Sequence, residues 1–239
     1  MDNMLERLKG GLIVSCYAGA DFNAEMAVPE TMVCVAKSCI AGGAKAIRTN
    51  CENVAAVKAA VDVPVIGLKK IYRSGDMISG DFRITPTLKE VEELIKAGAD
   101  GVAVDGTVRE RYDGKTLEQF IGAVKKEFDS CVSTDIPTLD EGAPRWPCGA
   151  DMVGTTLSGY TPYSKNPLPF GTLPSPEPDY EIIRELRAAG VPYIVAEGRI
   201  TNGEKMRRAL DAGAHSVVIG TSITEPRKIV KTILLDAGL

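Results

Sequence analysis

The segment Tyr193-Ile-Val-Ala196 is apolar throughout and reads as a buried strand, and it ends on a carboxylate, Glu197, followed by Gly198-Arg199-Ile200. An acid so placed can give or take a proton at the rim of a site; the plainer reading is a strand that ends in a solvated glutamate. A second group able to do acid–base chemistry stands in Gly67-Leu-Lys69-Lys70, and a cation, Arg48, closes another apolar run. A lysine beside a second cation in a dry pocket has its pKa lowered and becomes a base. A glutamate kept protonated by desolvation can return a proton. Placed on opposite faces of one carbon, Lys70 and Glu197 would invert a stereocentre. Lys70 could instead form a Schiff base with a carbonyl substrate, and the residues alone leave both chemistries open.

The rest of the composition narrows the field. The chain has 239 residues, 44% hydrophobic and 25% charged, which suits one soluble domain. A formal net charge of -4 without a basic block points away from nucleic acid and from anionic membrane surfaces. No apolar run approaches a membrane span and no signal peptide is visible. The six cysteines form no C-x-x-C pair, which fits a reduced, cytoplasmic chain rather than a disulfide framework. The one histidine, His215, falls where a helix gives way to a strand and reads as structural. One histidine and no clustered thiols make a zinc site improbable, although an oxygen-only magnesium site stays open. Acid–base chemistry must then come from carboxylates, lysine or tyrosine.

These groups need a frame. Eight short apolar runs recur, at 12–16, 46–49, 64–68, 101–104, 131–134, 151–154, 193–196 and 216–219. They are near-continuous rather than alternating, as parallel strands buried on both faces are. Between them, Thr87-Leu-Lys-Glu90, Thr116-Leu-Glu-Gln119 and Thr138-Leu-Asp-Glu141 match the capping box that opens a helix. Glycine-containing stops at Gly43, Gly98, Gly149, Gly190 and Gly213 precede strands. Helix, glycine stop, strand and loop repeated eight times in this length predict an α/β fold, a (β/α)8 TIM barrel, as one domain over residues 1–239. An open doubly wound sheet is the runner-up, but no G-x-G-x-x-G follows the first strand. Residues 160–179 hold six prolines and read as a long loop, either a lid or a surface excursion. Pro144 and Pro147 predict a short or kinked helix after strand five.

In such a barrel the C-terminal strand ends share one mouth. Those positions hold Ser15-Cys16-Tyr17, Arg48, Lys69-Lys70, Asp105 with Arg109 and Arg111 beyond, Asp135, Gly154-Thr155-Thr156, Glu197-Gly198-Arg199 and Gly220-Thr221-Ser222. The glycine turns after strands seven and eight are where many barrels hold phosphate on backbone N–H groups.

The chain resembles bacterial N-acetylmannosamine-6-phosphate 2-epimerases over nearly its whole length. The resemblance rests on Leu12-Ile-Val-Ser-Cys16, Ala46-Ile-Arg48, Pro64-Val-Ile-Gly67 with Lys70, Ile84-Thr-Pro-Thr87, Asp105-Gly-Thr-Val-Arg109 and Asp135-Ile136. It continues in Gly149-Ala-Asp-Met-Val-Gly-Thr-Thr-Leu-Ser-Gly-Tyr-Thr161, Ala196-Glu-Gly-Arg-Ile200 and Gly220-Thr-Ser-Ile-Thr224. It implies a cytoplasmic enzyme of amino-sugar and sialic acid breakdown that uses no metal or organic cofactor. Its substrate would be a small amino-sugar phosphate, and a homodimer is the assembly left open. Lys70 would take the proton from carbon two, Glu197 would supply one from the opposite face, and Arg48 and Asp135 would orient the sugar. Tyr17, Thr155, Gly198, Arg199, Gly220 and Thr221 complete the expected substrate contacts.

Two positions depart from the family pattern. Tyr17 replaces a usual Gln, and Glu225, in Ile223-Thr-Glu-Pro226, replaces an Arg expected to meet the phosphate. Three answers are open for the second: Arg227 reaches the phosphate instead, Glu225 points away and backbone N–H groups hold the anion, or the substrate carries a different group, such as a hydroxyl that Glu225 accepts from. The alternatives to the epimerase reading are a related or unphosphorylated N-acyl amino sugar as substrate, a Schiff-base sugar-phosphate lyase or aldolase built on Lys70, and a non-catalytic sugar-binding barrel.

Overall fold

The computed structural model describes residues 2–17, 26–72, 82–142, 148–161, 164, 167, 173 and 176–239. In chain order the elements are α1 (Asp2–Leu8), β1 (Leu12–Cys16), α2 (Pro29–Ala41), β2 (Ala46–Asn50), α3 (Cys51–Ala60), β3 (Val65–Leu68), β4 (Lys70–Tyr72), β5 (Phe82–Ile84), α4 (Leu88–Lys96) and β6 (Gly101–Asp105). They continue with α5 (Leu117–Phe128), β7 (Cys131–Asp135), α6 (Leu139–Gly142), β8 (Met152–Gly154), α7 (Tyr180–Ala188), β9 (Ile194–Glu197), α8 (Gly203–Asp211), β10 (Ser216–Ile219), α9 (Thr221–Thr224) and α10 (Pro226–Asp236). β1, β2, β3, β6, β7, β8, β9 and β10 pair in parallel and close on themselves as the expected barrel.

The predicted helix signals carry a physical consequence. Thr87 and Thr116 both close capping boxes, with Glu90 and Gln119 reaching back to the cap N–H. The third match, at Thr138, opens only the single turn of α6. Pro144 and Pro147 lie outside the described residues, as does much of 160–179. All five predicted glycine stops take positive φ.

Alternation along the strands builds the site. Side chains two apart share a face, and the inward face starts apolar. Ile13, Ala46, Ala103, Cys131, Met152, Val195 and Val218 fill the barrel interior, and Leu5 and Leu8 of α1 pack into the same cluster. His215 belongs to this lower end, its Nε2 2.7 Å from the Leu5 carbonyl oxygen and its ring edge-on to Tyr193. Two residues further along the same faces, Ala46 gives way to Arg48, Ser133 to Asp135 and Val195 to Glu197. The outward faces (Val14, Ile47, Val102, Val104 and Val132; Val153, Ala196 and Val217) pack beneath the helices.

β4 and β5 are not barrel strands. They form a separate antiparallel pair, with Lys70 opposite Ile84 and Tyr72 opposite Phe82. Three residues each is too short for a hydrophobic period, so no sequence pattern announces them. The pair carries Lys70 beyond the end of β3.

Candidate active site

Four side chains converge at the C-terminal mouth. The Arg48 guanidinium lies flat against Asp135, with Nη2 to Oδ2 at 2.6 Å and Nη1 to Oδ1 at 3.2 Å. The same Nη1 lies 3.0 Å from Glu197 Oε2. Thr156 Oγ1 stands 2.8 Å from Asp135 Oδ1 and 2.8 Å from Glu197 Oε2. β2, β7, β8 and β9 thus each contribute through a strand end or the residues just after it. Gly154 permits this closeness, because a Cβ there would fall 2.7 Å from Asp135 Oδ1.

A hydroxyl has one proton to give. Thr156 donates to one carboxylate, and its oxygen can accept from the other only if that one carries a proton. Asp135 holds the bidentate arginine. Glu197 is the partner whose pKa is raised, by burial first and then by the Asp135 charge, against the opposing pull of Arg48, Thr156 and Lys70. Thr156 thus ties the Glu197 and Asp135 side chains together, and Arg48 is bonded to both. Burial opposes the Arg48 cation, but Asp135 and Glu197 outweigh it and its pKa is raised. Thr156→Val should therefore lower kcat about tenfold or more, the worth of a charge-assisted hydrogen bond, with KM little changed, whereas Thr156→Ser should stay near the parent. Steady-state kinetics of both variants checks this.

Lys70 reaches the mouth by a different route. Its Nζ lies 4.4 Å from the centroid of the Tyr17 ring and 5.2 Å from that of Phe82. Burial, then the Arg48 charge, lowers its pKa to about 8, with Glu197 and Asp135 pulling the other way. A much larger share of the amine is neutral near pH 7.5 than in an ordinary lysine. The adjacent Lys69 turns outward to pair with Glu93. Of two neighbouring lysines, only Lys70 faces the cluster.

The structure places other candidates elsewhere. Thr155 is buried, and its hydroxyl bridges the backbone of Glu197, donating to the carbonyl at 2.9 Å and accepting from the N–H at 3.0 Å. That hydroxyl fixes Glu197 rather than facing a substrate, and its neighbour Thr156 makes the side-chain contacts at the site. Asp105 is occupied by Arg109 at 2.7 Å and by the Thr107 N–H. Arg111 donates to the carbonyls of Asp105 and Pro86 and stacks 3.8 Å over Phe120. These two arginines brace the loop after β6.

Gly198 and Arg199 both take positive φ, 109° and 61°. The Arg199 guanidinium lies across Gly159, where a Cβ would come within 2.1 Å of Nη1, and 5.9 Å from the Tyr160 ring. Its buried Nε has no hydrogen-bond partner among the described residues. Gly220, after β10, packs against Ser15 of β1, and Thr221 opens the short α9. No group of three or more His, Cys, Asp or Glu placed to hold a metal ion occurs among the described residues. No described helix is long and apolar enough to cross a membrane.

A closed parallel barrel whose mouth gathers a lysine with its pKa lowered to about 8, a buried glutamate with its pKa raised and an arginine–carboxylate pair is a barrel enzyme equipped for proton transfer. Residues 32–236 match the family model NanE, described as "Putative N-acetylmannosamine-6-phosphate epimerase", and the chain belongs to that family. It is 43% identical to the "Putative N-acetylmannosamine-6-phosphate 2-epimerase" of Cutibacterium acnes, covering 95% of this chain and 94% of that protein. A relative of the same name from Caldanaerobacter subterraneus is 42% identical, covering 96% and 92%. Its fold is similar to the solved structure of the N-acetylmannosamine-6-phosphate 2-epimerase from Clostridium perfringens, with a TM-score of 0.85 and 36% identity over 98% of this chain and 96% of that one.

Proposed function

We propose that this chain interconverts N-acetylmannosamine 6-phosphate and N-acetylglucosamine 6-phosphate by removing and replacing the proton on carbon two. The observation that carries the proposal is the Lys70 amine, with its pKa near 8, at the mouth beside the Arg48–Asp135–Glu197 cluster. A hydrogen on carbon two is acidic only next to a carbonyl, so the reacting sugar is the open-chain aldehyde. The Lys70 Nζ takes the proton, the C–H electron pair forms the carbon–carbon double bond of an enolate, and the negative charge moves to the oxygen on carbon one. Arg48 is the cation available to that oxygen. Glu197 returns a proton to the opposite face, and Asp135 holds Arg48 in place. The free thiols among the described residues suit a cytoplasmic enzyme. The apolar residues that α10 leaves exposed, Val230, Ile233, Leu234 and Leu235, support a homodimer.

A second reading has Lys70 serve both faces alone. It is favoured by the 3.0 Å contact of Glu197 with Arg48, which suits an ionised, orienting carboxylate. The pH profile of kcat/KM separates the two. A lone neutral amine gives activity that rises with pH through about 8 and then levels. The two-group mechanism needs neutral Lys70 together with protonated Glu197. Where Glu197 titrates below Lys70, that form peaks between the two values and declines above about 8. Isotope content adds a check. Two groups place a solvent deuteron on every first-formed product molecule in heavy water, whereas a single group returns some of the original protium.

A further inference from the structure

The sequence puts a carboxylate, Glu225, where the family pattern leads one to expect a phosphate-binding cation. The structure shows what stands around it. Arg227 points into solvent, 59% exposed, its Nε 3.7 Å from Glu225 Oε1. Lys228, one residue on, turns the other way. From the first turn of α10 it reaches back across α9, and its Nζ donates to Thr221 Oγ1 at 2.9 Å. Thr221 is the first residue after Gly220, at the turn that follows β10. Burial lowers the Lys228 pKa, with Glu225 the one charge acting to raise it. No carboxylate oxygen among the described residues comes within ion-pair distance of this ammonium. The Lys228 N–H donates to the Glu225 carbonyl at 3.0 Å, so both side chains spring from one turn.

A half-buried ammonium held by a single neutral hydroxyl is costly unless an anion completes its shell. We propose that Lys228, held by Thr221, is this chain's cationic contact for the 6-phosphate of the substrate, and that Glu225 steers the Lys228 side chain from behind. The charge that the family pattern places at 225 is thereby moved three residues along the same turn. Arg227 takes no part. This assignment rests on the reading that the substrate is phosphorylated, and the test separates the two.

The probes are N-acetylmannosamine 6-phosphate, unphosphorylated N-acetylmannosamine and inorganic phosphate as a competitive inhibitor. They are applied to the full chain and to Lys228→Gln and Lys228→Arg. Both substitutions are on the half-buried first turn of a helix and retain a group that can bond Thr221. The parent is expected to prefer the phosphorylated sugar. In Lys228→Gln that preference, as a ratio of kcat/KM values, should fall about 10- to 100-fold, the size of a lost charge-assisted contact. The loss should sit mainly in KM, with the inhibition constant of inorganic phosphate rising in parallel. Lys228→Arg should stay within a few-fold of the parent on both readouts. An undiminished preference in Lys228→Gln would overturn the assignment while leaving the phosphate reading intact. Equal losses in the Gln and Arg variants would show a packing role and overturn it as well. A parent that turns over both sugars equally well would overturn the phosphate reading, and with it any phosphate contact at Lys228.

Discussion

Lys70→Met should fold like the parent and lose roughly 10²- to 10⁴-fold in kcat, the usual worth of a positioned general base. Retention of the fold follows from the environment of the side chain. Burial and the Arg48 charge disfavour the protonated amine, and its Nζ lies against the Tyr17 and Phe82 rings. A methionine of similar length keeps the aromatic contacts and carries no charge to desolvate. The melting temperature should therefore match or exceed that of the parent while turnover collapses. A Schiff-base mechanism would also need Lys70. Borohydride reduction in the presence of substrate should leave no covalent adduct on the parent enzyme, and an adduct on Lys70 would establish imine chemistry in place of proton transfer.

Arg48→Ala should damage both stability and turnover. Arg48 is 3% exposed and Asp135 is fully buried, and the guanidinium is the cation paired with both Asp135 and Glu197. Removing one partner of a buried ion pair costs about 3–5 kcal/mol, because the charge left behind has no water to turn to. For a chain of this size each kcal/mol moves Tm by about 2–4 °C, so a fall on the order of 6–20 °C is expected by calorimetry. The catalytic loss has a different origin. A cation facing an oxygen that gains charge in the transition state lowers kcat by about 10²- to 10³-fold when removed. A rise in KM with unchanged kcat would show that Arg48 binds the ground state only.

The sequence reveals the barrel because its signals are redundant. Each of the eight strands is an apolar run, and five of the runs follow a glycine stop. Several strands extend one residue past their apolar run onto a polar residue, Asp105 of β6, Asp135 of β7 and Glu197 of β9, and the last two belong to the site. Ladder hydrogen bonds are made by backbone, so hydropathy ends before the strand does. The inward alternation from Ala46 to Arg48 and from Val195 to Glu197 is legible once the floor of the barrel is known. What stays hidden is orientation between chemically identical neighbours. Nothing in Lys69-Lys70 or Thr155-Thr156 says which member faces the mouth. Lys69 finds Glu93 on α4, and Thr155 finds the backbone of Glu197, leaving Lys70 and Thr156 to the site. Arg109 and Arg111 have the right charge at the right rim, yet both brace the loop that carries them. Lys228 escapes sequence reading because it lies seven residues past Thr221 and meets it only through the fold of α10 over α9.

The central claim is that the proton on carbon two leaves to Lys70. The most direct test is proton NMR of N-acetylmannosamine 6-phosphate incubated in heavy water with the parent enzyme and with Lys70→Met. The account predicts that the carbon-two hydrogen signal of the parent reaction fades as N-acetylglucosamine 6-phosphate forms with deuterium at that carbon, and that the variant shows neither exchange nor product. Conversion by the parent with full protium retained at carbon two, or exchange that survives the loss of Lys70, would contradict it.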